Sequence, residues 1–210
     1  MGQDAASKSQ PRFIHKRCGA FTWTMKLLGQ IFIGLVITTS CLGQKSSDQD
    51  AIKKSVTTFY QWYIGTTKDS RYSRYVHGAE GENGKTKLET TDYFKRLDSL
   101  GVIGEEFIRS EKERFKPCDS LLRTVPWTTF STADAYEYDS KCYWLYYYYW
   151  TNGQEPHDGV EVLDVSMNKN KATAIASLYF GDNKSNGDQS KVYLAMTKGK
   201  WVITKIEKGK

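Results

Sequence analysis

Nine consecutive residues, Cys142-Tyr143-Trp144-Leu145-Tyr146-Tyr147-Tyr148-Tyr149-Trp150, carry no charge, and Leu145 is the one strong helix former among them. Aromatic side chains favour the pleated, half-buried surface of a strand, so the stretch reads as the first strand of a C-terminal sheet. Alternation then places Cys142, Trp144, Tyr146, Tyr148 and Trp150 on one face and Tyr143, Leu145, Tyr147 and Tyr149 on the other. Neither face is polar in the ordinary way. Left as a bare edge, such a strand invites aggregation, so neighbouring strands are expected to flank or cover it.

The residues that follow supply those neighbours. Val160 to Met167 begins with apolar/polar alternation, and Ala172, Ala174, Ala176, Leu178 and Phe180 recur at period two. Asn168-Lys169-Asn170-Lys171 lies between them, with asparagines that tolerate the left-handed conformation of a tight hairpin. After the Gly181 to Asp188 loop come Lys191 to Met196, a Lys198-Gly199-Lys200 turn, and Trp201 to Ile206. Consecutive hairpins make an antiparallel meander.

The start of the chain has a different character. Leu27 to Ile37 is an apolar run too short to span a bilayer. Lys26 precedes it and Thr38, Thr39 and Ser40 follow, which is the layout of a secretory signal over residues 25–40. Met25 is then the natural initiator, and residues 1–24 are an upstream extension or a misassigned start. Ile37-Thr38-Thr39-Ser40-Cys41 resembles a bacterial lipobox, with Thr38 departing from the usual Leu or Val. That resemblance implies export across the inner membrane, lipidation at Cys41 and an anchor to the envelope on the periplasmic side. The alternative is ordinary cleavage near Gly43 or Gln44.

Charge supports no nucleic-acid role. Of 30 basic and 24 acidic residues, five basic and one acidic lie in residues 1–40, leaving 25 and 23 and a balance of only +2. No basic stripe interleaved with stacking aromatics remains in the rest. Export also bears on the cysteines. Cys18 and Cys41 belong to the leader, which leaves Cys118 and Cys142; in an oxidising compartment these are expected to form a disulfide, the other reading being two buried thiols.

Residues 41–50 are short, polar and Ser/Gln-rich, as a tether would be. Ile52, Val56, Phe59, Tyr60, Tyr63 and Ile64 then follow helical spacing, with Gly65 as the expected stop. Residues 66–87 read as a polar loop. A second helix carries Tyr93, Phe94, Leu97 and Leu100. A third starts near Gly104 and sets Phe107, Ile108, Glu111 and Phe115 roughly on one side, with Pro117 expected to kink or end it. The fold class is therefore α+β: N-terminal helices packed in a strongly curved antiparallel β-meander, in a single domain over residues 51–207.

Here a resemblance becomes specific. Phe59-Tyr60-Gln61-Trp62-Tyr63 and Lys198-Gly199-Lys200-Trp201-Val202-Ile203 look like the cone-shaped, nuclear-transport-factor-two-like (cystatin-like) fold. Tyr93-Phe94-Lys95-Arg96-Leu97 and Phe115-Lys116-Pro117-Cys118-Asp119 further resemble an uncharacterised branch of exported bacterial proteins with that fold. The resemblance implies a sheet wrapped around helices with a pocket at the open end. Domains of this kind bind ligands, pair with other proteins, or occasionally catalyse isomerisation or dehydration.

Chemistry-bearing motifs are sparse. There is no phosphate loop, dinucleotide fingerprint, nucleophile elbow or metalloprotease helix. His77 and His157 are too far apart for a zinc signature, although His157-Asp158 invites an acid/base reading. Asp119 and Asp139 are carboxylates near the expected pocket wall, more simply read as cap or surface residues. Trp144, Tyr146, Tyr148 and Trp150 could stack on a sugar or other apolar ligand, or be core. The Gly181 to Asp188 loop lacks the spacing of a calcium loop. The function expected is a non-catalytic, exported binding domain recognising an unknown protein or small ligand, with no metal or cofactor. The sheet also offers a face through which two copies could pair. The alternative is a small pocket enzyme, isomerase- or dehydratase-like, using a carboxylate or histidine (Asp119 or His157) with tyrosine hydroxyls.

Overall fold

A single long helix sets the frame. In the computed structural model, which describes residues 40–133, 139–142, 149–151, 156–181 and 187–209, α1 covers Ser40–Lys68. Its stripe of Ile52, Val56, Phe59, Tyr60 and Tyr63 is fully buried, each large side chain stabilising the fold by about 1.5–3 kcal/mol. The 41–50 segment expected as a tether is helical backbone, and Gly65 does not stop the helix. Past Gly65, the Thr66 and Thr67 hydroxyls donate to the Tyr63 and Ile64 carbonyls and hold the last turn to Lys68. Residues 1–39, which hold the expected upstream extension and all but the last residue of the expected signal over 25–40, lie outside the described residues.

The meander is as the alternation predicts. Strands β3 (Gly159–Asn168), β4 (Lys171–Tyr179), β5 (Asp188–Thr197) and β6 (Lys200–Lys208) pair antiparallel in sequential order. Their inner face is apolar: Val162 stands opposite Ala176, Val165 opposite Ala174, Val192 opposite Ile206, and Leu194 opposite Ile203. α1 packs across this face, touching β3, β4 and β6. Two polar contacts fix its position along β6: Ser55 Oγ donates to the Trp201 carbonyl at 2.8 Å in a buried bond, and Trp201 Nε1 donates to the half-buried Asp48 Oδ1 at 3.2 Å. The β3–β4 hairpin turns with Lys169, not an asparagine, at a positive φ of 55°.

The segment from residue 66 to 87 is more structured than its polarity suggests. After a short helix α2 (Tyr72–Tyr75), β1 (His77–Glu80) and β2 (Thr86–Glu89) form a hairpin around Asn83-Gly84, both at positive φ. Asn-Gly is a turn signal that tolerates this conformation. Helix α3 covers Thr91–Ser99 and α4 covers Glu105–Leu122. α4 passes through Pro117 instead of ending there. Phe115, Cys118 and Leu122 are buried on either side of the proline, and their packing outweighs a backbone hydrogen bond lost to the ring.

Two further helical turns follow, α5 (Trp127–Phe130) and α6 (Asp139–Cys142), and a 3₁₀ turn spans Tyr149–Thr151. The aromatic stretch is thus corrected at both described ends: Cys142 closes a helical turn and Trp150 sits in a 3₁₀ turn, so neither belongs to a strand. Trp144, Tyr146 and Tyr148 lie outside the described residues. Cys142 is covalently joined to Cys118 with Cα atoms 5.0 Å apart, which is the expected disulfide and ties α6 to α4. The architecture is α+β: helices on a four-stranded antiparallel sheet, with a small two-stranded sheet beside them. Among the described residues, no helix is long and apolar enough to cross a membrane.

Candidate functional site

At one end of the sheet, aromatic core gives way to charge. Tyr93 on α3 faces Glu111 on α4, and Glu111 is buried although ionisable. Arg114, one helical turn later, donates to it twice, Nε to Oε1 at 2.8 Å and Nη2 to Oε2 at 2.6 Å. Tyr93 Oη donates to the same Oε2 at 2.6 Å. Three donors on one carboxylate make its burial tolerable. The Trp150 indole N–H points to Tyr93 Oη at 3.4 Å, and its backbone N–H donates to Tyr63 Oη at 3.2 Å, which joins the 3₁₀ turn to α1 and α3.

Two cations meet around one ring here. The Arg114 guanidinium lies 4.0 Å from the Tyr149 ring centroid and the Lys208 ammonium 4.2 Å from it. Burial, and then the neighbouring Arg114 charge, lower the Lys208 pKa. Beyond Lys208, a cavity of about 50 Å³ is lined by Trp150, Thr151, Leu178, Asp188, Ser190 and Lys208 among others. That is room for a few water-sized groups. Tyr60 Oη lies beside the Ser190 hydroxyl without the geometry of a hydrogen bond, and burial pushes its phenol far above the usual range. A fully buried hydroxyl with no partner is costly.

His157 stands next to this cavity. It is buried, its ring stacks on Phe180 with centroids 4.2 Å apart, and its Nε2 is 3.3 Å from Asp188 Oδ2. A carboxylate only accepts, so Nε2 carries the proton and Nδ1 is an acceptor, buried and without a partner. Burial lowers the His157 pKa, and Asp188 opposes that shift only partly. The following residue, Asp158, is held below its ordinary range first by the Gly181 N–H and then by Lys68, at 2.7 Å each.

The residues singled out from sequence do not converge. Asp119 is a structural acceptor: its Oδ1 takes the Leu88 N–H at 2.9 Å and its Oδ2 takes Arg123 Nε at 2.8 Å, binding the β1–β2 hairpin to α4. His157 reaches the cavity only through Asp188. Trp150 packs against Phe59, Phe107 and Tyr149 and presents part of itself to the cavity. Cys41 falls in the first turn of α1. His77 opens β1, far along the chain from His157. Sequence reasoning passed over Tyr60, Arg114, Ser190 and Lys208. The available signal was Glu111, a charged residue on an apolar helical stripe, which calls for a buried cation. Among the described residues, no group of acidic, histidine or cysteine side chains is arranged to hold a metal ion. No protein-family model, curated protein or solved structure matches the chain.

Proposed function

We propose that this chain is an exported, membrane-anchored, non-catalytic binding domain with a cone-shaped fold of the nuclear-transport-factor-two-like kind, which recognises a protein or small ligand through the pocket at its open end. One observation carries the reading. Glu111 is committed to structural bonds with Tyr93 and Arg114, and Asp119 to the Leu88 N–H and Arg123, while the cavity beside Lys208 keeps a largely polar wall. The cone geometry draws support from two bulges, at Leu163 in β3 and Thr204 in β6, because a bulge bends a strand and strengthens its twist. The anchor is a lipid on Cys41, placed at the periplasmic side.

Native mass spectrometry of the full chain, purified from bacterial envelope in mild detergent, tests this. A lipid mass on a chain beginning at Cys41, together with a retained protein or small molecule, is the expected result. A chain starting at or after Gly43 sinks the anchor, and a bare chain under gentle conditions counts against recognition. The second reading, a small isomerase- or dehydratase-like enzyme, rests on the His157–Asp188 pair beside the cavity. It requires turnover abolished in His157→Gln with the fold intact.

A further inference from the structure

One end of the four-stranded sheet is a rim of lysines. The β3–β4 and β5–β6 turns lie side by side there: Lys171 stands opposite Ala195, Lys200 opposite Thr197, and the Met196 N–H donates to the Asn170 carbonyl at 2.8 Å. Strands about 4.8 Å apart thus gather Lys169, Lys171, Lys198 and Lys200, all exposed. Among the described residues, none of these lysines enters an ion pair. Of the acids on neighbouring elements, Asp48 accepts from Trp201 Nε1, Asp50 is exposed on α1, and Glu106 shares an open groove with Lys171 and Lys205. The turns themselves do not ask for lysine. Lys169 and Lys198 take φ of 55° and 50°, a left-handed conformation that glycine and asparagine adopt more readily. The charge is kept where the backbone favours other residues.

The start of α1 comes to the same rim. The helix runs along the sheet from Asp48, at Trp201, to Lys68, whose ammonium meets Asp158 just before β3. Residues 40–47 continue it beyond Asp48, with Lys45 as their sole charged residue. Cys41 lies about 10 Å along the axis from Asp48, close to one Debye length at physiological salt. We propose that the rim of Lys169, Lys171, Lys198 and Lys200 docks on the headgroups of an anionic phospholipid bilayer and so orients the domain at the membrane surface. The proposal rests on the envelope address given above, and not on the lipid at Cys41. Lysines within a Debye length of anionic headgroups are attracted to them one by one, and a lipid chain holds more firmly with a second, electrostatic contact.

The full chain is transferred from envelope to vesicles of phosphatidylglycerol or of phosphatidylcholine. Its lysines are then acetylated with a water-soluble succinimidyl ester and read by peptide mass spectrometry. On phosphatidylglycerol, Lys169, Lys171, Lys198 and Lys200 are expected to react about fivefold or more slowly than on phosphatidylcholine. Lys95 and Lys116, exposed on α3 and α4, react alike on both. The slowing vanishes in about 0.5 M sodium chloride. Lys198→Gln with Lys200→Gln reduces it several-fold at Lys169 and Lys171, and Lys198→Arg with Lys200→Arg keeps it. Lys95→Gln with Lys116→Gln, an equal loss of net charge, leaves it intact; an equal reduction there overturns the proposal. Equal rates on the two kinds of vesicle also overturn it, and leave the anchor standing if the chain stays with both. Flotation with phosphatidylglycerol alone, lost in Lys198→Gln with Lys200→Gln, removes the anchor and keeps the docking surface. Protection by soluble polyglutamate and not by phosphatidylglycerol overturns the membrane assignment in favour of an acidic protein.

Discussion

Tyr93 Oη and Glu111 Oε2 lie 2.6 Å apart, a buried hydrogen bond that joins α3 to α4 across eighteen residues of chain. Arg114 completes the charge pairing at the same carboxylate. Removing one member of a buried ion pair leaves the other uncompensated, which costs about 3–5 kcal/mol. Glu111→Ala is therefore expected to lower unfolding free energy by about 3 kcal/mol in urea denaturation followed by tryptophan fluorescence. Tyr93→Phe, which removes one donor and leaves two, costs about 1–2 kcal/mol. Equal small losses in both variants would show that the carboxylate is solvated instead.

The Cys118–Cys142 bond closes a loop between α4 and α6 with a sequence separation of 24. Loop-entropy arithmetic gives about 3 kcal/mol for a loop of this size. Reduction with dithiothreitol, or Cys118→Ser with Cys142→Ser, is expected to lower the unfolding free energy by that amount, and so the urea midpoint, while leaving β3 to β6 paired. An unchanged midpoint would mean that the chain holds this geometry without the bond.

Acid weakens the fold through His157. Burial depresses its pKa in the folded state, so the unfolded chain binds the proton more readily. The favourable state is the neutral one. Stability is fully present above the ordinary value of 6.5 and is lost as pH falls from there toward the depressed folded value. Asp188 and Asp158 both favour the imidazolium and limit the loss; Lys68, paired to Asp158, tempers the latter. Urea unfolding at pH 7.5 and pH 5 is expected to show lower stability at pH 5, with a smaller difference in His157→Gln. An identical pH slope in the variant would exclude His157 as the origin.

Glu89 behaves in the acid range. Its carboxylate accepts from the Thr91 hydroxyl and from the Thr91 N–H at the start of α3, the latter at 2.9 Å, and Lys87 adds a weaker contribution; together they hold its pKa at about 2. The stability it contributes is complete above its ordinary 4.5 and disappears as pH drops through about 2. Glu89→Ala removes a helix-capping acceptor and is expected to cost about 1 kcal/mol at pH 7. The difference from wild type should fade on acidification. A constant difference down to pH 2 would contradict the capping role.

Periodicity carried much of the fold. The Ile52 to Ile64 stripe and the alternation in β3, β4, β5 and β6 were readable because burial on one face imposes a repeat on neighbouring residues. The Cys118–Cys142 pairing followed from the expectation of an oxidising compartment and from the two cysteines beyond the signal-like segment. Local signals were present but outvoted in the β1–β2 hairpin, where Asn83-Gly84 marks the turn within a polar segment. The helical turns at Cys142 and Trp150 ran against β propensity because a disulfide at one end and core packing at the other decide the backbone there.

The sequence by itself determined the class of elements and which faces they bury, since both are set by side chains a few residues apart. Only tertiary structure decided the site. Tyr60, Arg114, Ser190 and Lys208 come from α1, α4, β5 and β6, and no local spacing relates them. Their meeting depends on how far α1 slides along β6, a position set by Ser55 and Asp48 on Trp201. Hydrophobic burial is non-directional and leaves such offsets open; hydrogen bonds and a covalent link, whose partners are distant in sequence, close them.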